Sequence, residues 1–449
     1  MNQRHHAVLG RIIAFLAIVA CVLAVCTAGA RTALAVTAPK TIVSSDITTN
    51  TVWRLSGSPF LVTVPIKVTA ALTIEPGVEV QFLKAAGMQI DGSLQALGTQ
   101  AQQIRMLAAN DDWLGLRIIQ PAGNTLLRSV TLQDAQIGLA LVPVASIVTT
   151  AAPPRVDLLD SLIQGNIIGI SLDYTANGNH PRLTMRDNLI TANPLGMRVS
   201  GLPNGQSGLK LNHNSFVGNG IAVKALNMTG KGLRAQQQWW GDARGPIFLA
   251  LSTLTCTNSA APAPGSSEQE LVCGTVDATP FGKVPAGRML VPPDQDAKLE
   301  SGIGTMAMND DSISATSLMT VTVPAGTFDQ SVDLLAAPRS FGSAPPGQAT
   351  LLEFEVTAAA GGQAIHDFAP TKQITIEVRY LPTDLNGANP NRLVLYYFDE
   401  TLGTWNFSGI ASRSDPANAR LVARLSHLSR MRITSTQIFD LHLPLVSAP

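Results

Sequence analysis

At 449 residues the chain is long enough for two or three domains with sizeable buried cores. Charged residues make up 14%, and 31 Lys plus Arg balance 31 Asp plus Glu. Nucleic acid is therefore not expected as a partner, since phosphate binding needs a concentrated basic face.

The chain opens with a targeting pattern. Arg4 and Arg11 precede an apolar run from Ile12 to Val25, and Ala33-Leu34-Ala35 offers small residues for cleavage. Positive, apolar, then A-x-A reads as a secretory signal peptide over residues 1–35. The run is short for an uncleaved anchor, and Val25 weakens a lipoprotein reading at Cys26. The expected product is secreted or cell-surface and monomeric, with no membrane span after signal removal.

Residues 36–60 are β-branched and read as a cap on the first coil, with Trp53 as cover. In Leu72–Thr99 the apolar residues alternate: Leu72 and Ile74, then Val78, Val80 and Phe82, then Met88 and Ile90. Pro76-Gly77 and Asp91-Gly92 punctuate them. Period-two alternation in strands this short suits the sides and corners of a coil.

From Ser129 a repeat can be counted. SVTLQDAQIGL (129–139), DSLIQGNIIGI (160–170), DNLITANPLGM (187–197) and HNSFVGNGIAV (213–223) align with offsets of 31, 27 and 26. One apolar column is Leu132, Ile163, Ile190, Phe216. A second is Ile137, Ile168, Leu195, Ile221, and a third is Leu139, Ile170, Met197, Val223. Such a period marks a stacked architecture, in which each repeat buries its apolar face against its neighbours. Ala135, Asn166, Asn193 and Asn219 form a polar column, read as a hydrogen-bonded ladder at a corner that favours left-handed backbone.

The stretch LTIEPGVEVQF…MQIDGSLQALGT resembles the opening rungs of exported bacterial right-handed parallel β-helix proteins. Trp113-Leu114-Gly115-Leu116 is similar to a later rung of that family, and Trp239-Trp240-Gly241 through Gly245-Pro246 to its closing signature. The resemblance implies a β-helix over residues 36–282 and is silent about chemistry. Two adjacent tryptophans cannot both enter a narrow coil, so one is expected to cap it. Asp242 and Arg244 are expected to form a surface pair.

Cys256 and Cys273 bracket a Pro/Ser/Ala-rich loop. In an oxidising compartment they are expected to form a disulfide. Residues 283–300, with prolines, charges and no sustained pattern, read as a linker. Alternating strands then return at intervals suited to an antiparallel sandwich over 301–434. VPAGTF, ITIEVRYL, LVLYYFDETLGTW and HLSRMRI are similar to bacterial ZU5-like β-sandwich modules. The tail 435–449 is hydrophobic, and a surface-attachment role is conceivable for it.

The fold class is thus all-β: a right-handed parallel β-helix followed by an antiparallel sandwich. Two constellations could carry chemistry. Asp160 and Asp187 occupy one column with His213, near Arg186 and Lys210. On rungs ~4.8 Å apart, the carboxylates approach the ~5–5.5 Å separation of a retaining glycosidase. Ser129 in the same column argues for turn capping instead. The second is His427-Leu428-Ser429. Some ZU5-like modules cleave themselves in such a tripeptide, the Ser hydroxyl attacking the preceding carbonyl while the His takes its proton.

No G-x-S-x-G, P-loop, H-E-x-x-H or EF-hand pattern is present, and no cofactor or metal is expected. Asn110-Asp111-Asp112 and Asn309-Asp310-Asp311 read as solvated turns rather than calcium sites. The expected role is a non-catalytic scaffold binding extracellular polysaccharide or a cell-surface protein. The alternatives are a polysaccharide-degrading enzyme and an adhesin cleaved between Leu428 and Ser429.

Overall fold

A computed structural model describes residues 40–436, apart from 100–101, 120–121, 143–153, 176–180, 202–207, 229–231, 258–261, 266–268, 280–286, 304–316, 339–347, 361–362, 366–367, 369–371, 386–388 and 400. The proposed signal peptide, the tail beyond 436 and Asn309–Asp311 lie outside the described residues.

From Thr41–Val43 to Leu271–Cys273 the chain winds as a coil whose strands stack in parallel into three long sheets, called here sheets 1, 2 and 3. Leu233–Arg234 pairs with Val276–Asp277 in a separate sheet of two. One complete rung shows the plan. Arg155–Leu159 lies in sheet 3, Leu162–Gln164 in sheet 1 and Ile168–Asp173 in sheet 2. The chain then returns to sheet 3 one rung further on, at Arg182–Arg186.

The columns visible in the sequence are the registers of the structure. Leu132 pairs with Ile163, Ile163 with Ile190 and Ile190 with Phe216. All four are fully buried. Leu139, Ile170, Met197 and Val223 stack the same way in sheet 2. Burying one large apolar side chain contributes about 1.5–3 kcal/mol, so a one-residue slip, which would turn each column outward, is strongly disfavoured. Aromatic pairs fill the coil at intervals. Trp53 stacks on Phe60 at 4.8 Å, Phe82 on Trp113 at 3.9 Å and Phe216 on Trp240 at 5.0 Å between centroids. Of the adjacent tryptophans, Trp240 belongs to the coil's core and Trp239 does not.

Two left-handed corners turn each of these rungs. The first holds Ser129, Asp160, Asp187 and His213, with φ between 47° and 56°. The second holds Asp134, Gly165, Ala192 and Gly218. The sequence places left-handed backbone on the Asn column itself; it falls one residue earlier. The asparagines instead spend their side chains on the ladder.

The second half of the chain is an antiparallel sandwich around its own core. One sheet runs Arg288–Val291, Val332–Pro338, Gln348–Ala360, Ser429–Thr436, Leu393–Asp399, Thr404–Asn406. The other runs Ala297–Ile303, Ser317–Val323, Ile374–Arg379, Arg420–Leu425, Ala411–Asp415. The linker expected at 283–300 is corrected here, because it holds the first strand of each sheet. Pro292 and Pro293 separate those strands, and exposed Lys298 sits between inward Ala297 and Leu299. Buried Arg288 and exposed Leu290 invert the usual alternation, which left no sustained apolar pattern to read.

Candidate functional site

The structure brings Asp160, Asp187 and His213 into one column, with Ser129 at its head. Each occupies the first corner, and main-chain bonds run between rungs: Ser129 N to Leu159 O at 3.1 Å, Asp160 N to Arg186 O at 3.0 Å. Asp and Ser tolerate left-handed backbone because their short polar side chains bond locally. Both aspartates are fully buried. Asp187 pairs with Arg186 Nε at 3.2 Å. Burial, with the Arg186 charge beside it, pushes the His213 imidazole down to about 4. Its neutral form therefore prevails at physiological pH.

What covers this column is the start of the sandwich. Gly287 has φ +69°, and a Cβ on it would lie 2.5 Å from the Cα of Asp187. The sandwich backbone therefore sits directly on the corner, a close approach that only glycine allows. Arg288 follows and is fully buried. Its Nη1 donates to the Asp160 carbonyl at 2.8 Å and its Nη2 to Gln103 Oε1 at 3.3 Å. Nε donates to Asp333 Oδ1 at 2.8 Å, and Nη2 closes a second bond to the same carboxylate. Gln103 Nε2 in turn donates to Asp333 at 3.3 Å, and Thr131 donates to Gln103 Oε1 at 3.2 Å.

One guanidinium thus joins an aspartate of the sandwich to the backbone of the coil. The outward positions Leu162 and Leu189 are 8% and 3% exposed, yet neither belongs to the coil's core. In the sandwich, outward Leu335 and Ala337 are equally covered and outside its core. The Asp160/Asp187 corner faces this joint and not an open groove. Sequence reasoning passed over Arg288, Gln103 and Asp333, because no local pattern marks residues that meet across 45 to 230 positions.

Beside each corner runs a polar ladder. Asn166 Oδ1 accepts from Ala135 N at 3.0 Å, Asn193 Oδ1 from Asn166 N at 2.9 Å, and Asn219 Oδ1 from Asn193 N at 3.3 Å. Glu270 ends this ladder, accepting from Asn219 N at 3.1 Å and from its Nδ2 at 3.3 Å. Burial raises the Glu270 carboxyl to about 7 against the opposing pull of those bonds. A second ladder was not read from the sequence. It runs Ser161, Asn188, Asn214, Gln238, each accepting from the backbone N–H of the rung before. Its changing residue types hid the column. Cys256 and Cys273 are bridged, pinning a short helix, Leu254–Thr257, to the strand Leu271–Cys273.

At the other candidate, Leu428 is 2% exposed and precedes the strand Ser429–Thr436. The Ser429 hydroxyl donates to the Phe398 carbonyl at 2.7 Å. His427 stands edge-on to Tyr397, centroids 4.0 Å apart. In this geometry the Ser429 proton is directed at the neighbouring strand, not at His427. Asp111, in one of the turns weighed for calcium, accepts from Lys84 Nζ at 2.7 Å. Asp242 and Arg244 pair at the surface at 2.7 Å, as expected.

Among the described residues, no group of three His, Cys, Asp or Glu side chains is placed to hold a metal, and no helix is long and apolar enough to cross a membrane. Comparison with family models, curated proteins and solved structures finds no match.

Proposed function

We propose that the chain is an exported, non-catalytic scaffold, a β-helix with a ZU5-like sandwich fixed to it, that presents a β face to extracellular glycan or protein. The observation carrying this reading is the joint: Arg288 bonds the Asp160 backbone while Gly287 seats on Asp187. The paired carboxylates that would make the coil a glycosidase are spent on a corner beneath a second domain. Two domains joined at that corner suit presentation better than turnover. The disulfide supports an oxidising, extracellular setting.

The test is to run the purified chain, lacking residues 1–35, through native gels cast with soluble polysaccharides, and to assay the same mixtures for new reducing ends. Retardation without new reducing ends is the expected result. Release of reducing ends by the wild type would overturn the non-catalytic reading.

A further inference from the structure

The chain's zero net charge hides a local imbalance on sheet 3. Its outward positions are read from the register. Asp157 pairs with Thr184 and Thr184 with Lys210; Leu159 pairs with Arg186; Arg155 pairs with Arg182; and Arg128 pairs with Leu159. The inward partners Val156, Leu158, Leu183 and Met185 are all buried in the core. Four cations, Arg128, Arg155, Arg182 and Lys210, therefore share one face across four rungs, with Arg186 at its edge turned toward buried Asp187. The carboxylates beside them are Asp157, bonded to Arg155 at 2.7 Å, and Asp187, bonded to Arg186 at 3.2 Å. The earlier rungs of the same sheet carry Thr73 and Gln95 at the outward positions and no charge there.

Arg155 and Arg182 are direct register partners. Like charges facing each other across strands ~4.8 Å apart destabilise a sheet. Asp157 answers one of these two charges, so the pair and its carboxylate leave net positive charge on the face. We propose that this face of sheet 3 binds an anionic polysaccharide, its carboxylate or sulfate groups lying along the rows of guanidinium and ammonium groups. The inference rests on the scaffold reading and names the ligand class for it.

The chemistry favours a glycan over nucleic acid. Proteins that hold single strands interleave cations with aromatic rings on which bases stack. The outward neighbours here are Leu126, Asp157, Leu159, Thr184 and Asn212, with no aromatic among them. Guanidinium forks match carboxylate and sulfate groups in bidentate fashion. The paired strands fix the spacing of the cations, so binding has only their side chains to order.

The experiment uses the full chain without residues 1–35 in native gels containing alginate, dextran sulfate, neutral dextran or no polymer, at low and high salt. A parallel gel shift uses duplex DNA. The variants are the triple change Arg155→Ser, Arg182→Ser, Lys210→Ser and the single reversal Arg182→Glu at an exposed position. The control is Lys298→Ser, Arg413→Ser, Arg424→Ser on the exposed face of the sandwich. Expected is salt-sensitive retardation by alginate or dextran sulfate. The dissociation constant should rise at least about tenfold in the triple variant and in Arg182→Glu, and stay unchanged in the control. The stronger of the two anionic polymers tells carboxylate from sulfate. Equal retardation of all variants, a shift with DNA alone, or no binding would overturn the inference. Retardation by neutral dextran that the variants leave intact would overturn it too, yet leave the scaffold reading standing.

Discussion

Arg288 Nη1 donates to the Asp160 carbonyl at 2.8 Å, across 128 positions of sequence. The same guanidinium grips the Asp333 carboxylate. The bond makes a corner of the β-helix and the first strand of the sandwich one structural unit. Arg288→Met would leave Asp333, 14% exposed in its side chain, without its main partner. Removing one member of a buried pair costs about 3–5 kcal/mol. Urea unfolding should then resolve two transitions where the wild type gives one, with the sandwich released from the coil. A single transition at the wild-type midpoint would mean that the joint does not couple the domains.

The ladder makes a second prediction. Asn193 accepts from Asn166 N and Nδ2 and donates to the Ile163 and Thr191 carbonyls. Asn193→Leu keeps a similar size but strands those buried groups, at about 1–3 kcal/mol each. The midpoint of chemical denaturation should fall clearly. Amide exchange should rise first at Asn166, whose backbone N–H loses its acceptor, and less at Ala135, whose acceptor Asn166 Oδ1 remains. Uniform exchange along the coil would contradict a ladder that acts rung by rung.

Glu270 gives the fold a pH dependence of known sign. Its folded pKa, about 7, lies above the ordinary value of 4.5, so the native state holds a proton that the unfolded chain has released. The group's contribution is present in full below pH 4.5 and is lost as pH rises through 7. Thermal stability should therefore decline between pH 5 and pH 8 on its account. Glu270→Gln keeps an acceptor for Asn219 without the charge and should flatten that slope. An unchanged slope in the variant would assign the pH dependence to other groups.

The coil was legible because its information is periodic. Leu132, Ile163, Ile190 and Phe216 repeat at offsets that the structure reproduces as strand partners. The chemistry of the corner was less legible. Asp160 and Asp187 share a column in sequence whether they line a groove or turn a corner. Only the approach of Gly287, 100 residues beyond Asp187, decides which face they see. The strands of 288–303 hid behind Pro292 and Pro293. Arg288 carries no periodic mark, and its meaning lies in partners far away in sequence.

Covalent structure provides a fourth check. The Cys256–Cys273 bridge closes a loop of sequence separation 17, worth about 3 kcal/mol by loop entropy. Mass spectrometry of the denatured protein should show one chain that gains two hydrogens on reduction. It should show no fragment beginning at Ser429, whose hydroxyl is engaged with Phe398. Ser429→Ala should leave that mass pattern unchanged. A wild-type fragment starting at Ser429, absent from the variant, would make the sandwich an autoprocessing module.

The proposed scaffold role requires the Asp160/Asp187 corner to be architecture and not an active site. The most direct measurement compares wild type with the double variant Asp160→Asn, Asp187→Asn for reducing ends released from soluble polysaccharides, with thermal unfolding of both. Asparagine keeps the left-handed corner accessible at φ 51° and 56°, so the fold should survive. Neither protein should release reducing ends, and both should keep their polysaccharide binding. Release by the wild type that vanishes in a well-folded variant would contradict it and make the corner an active site.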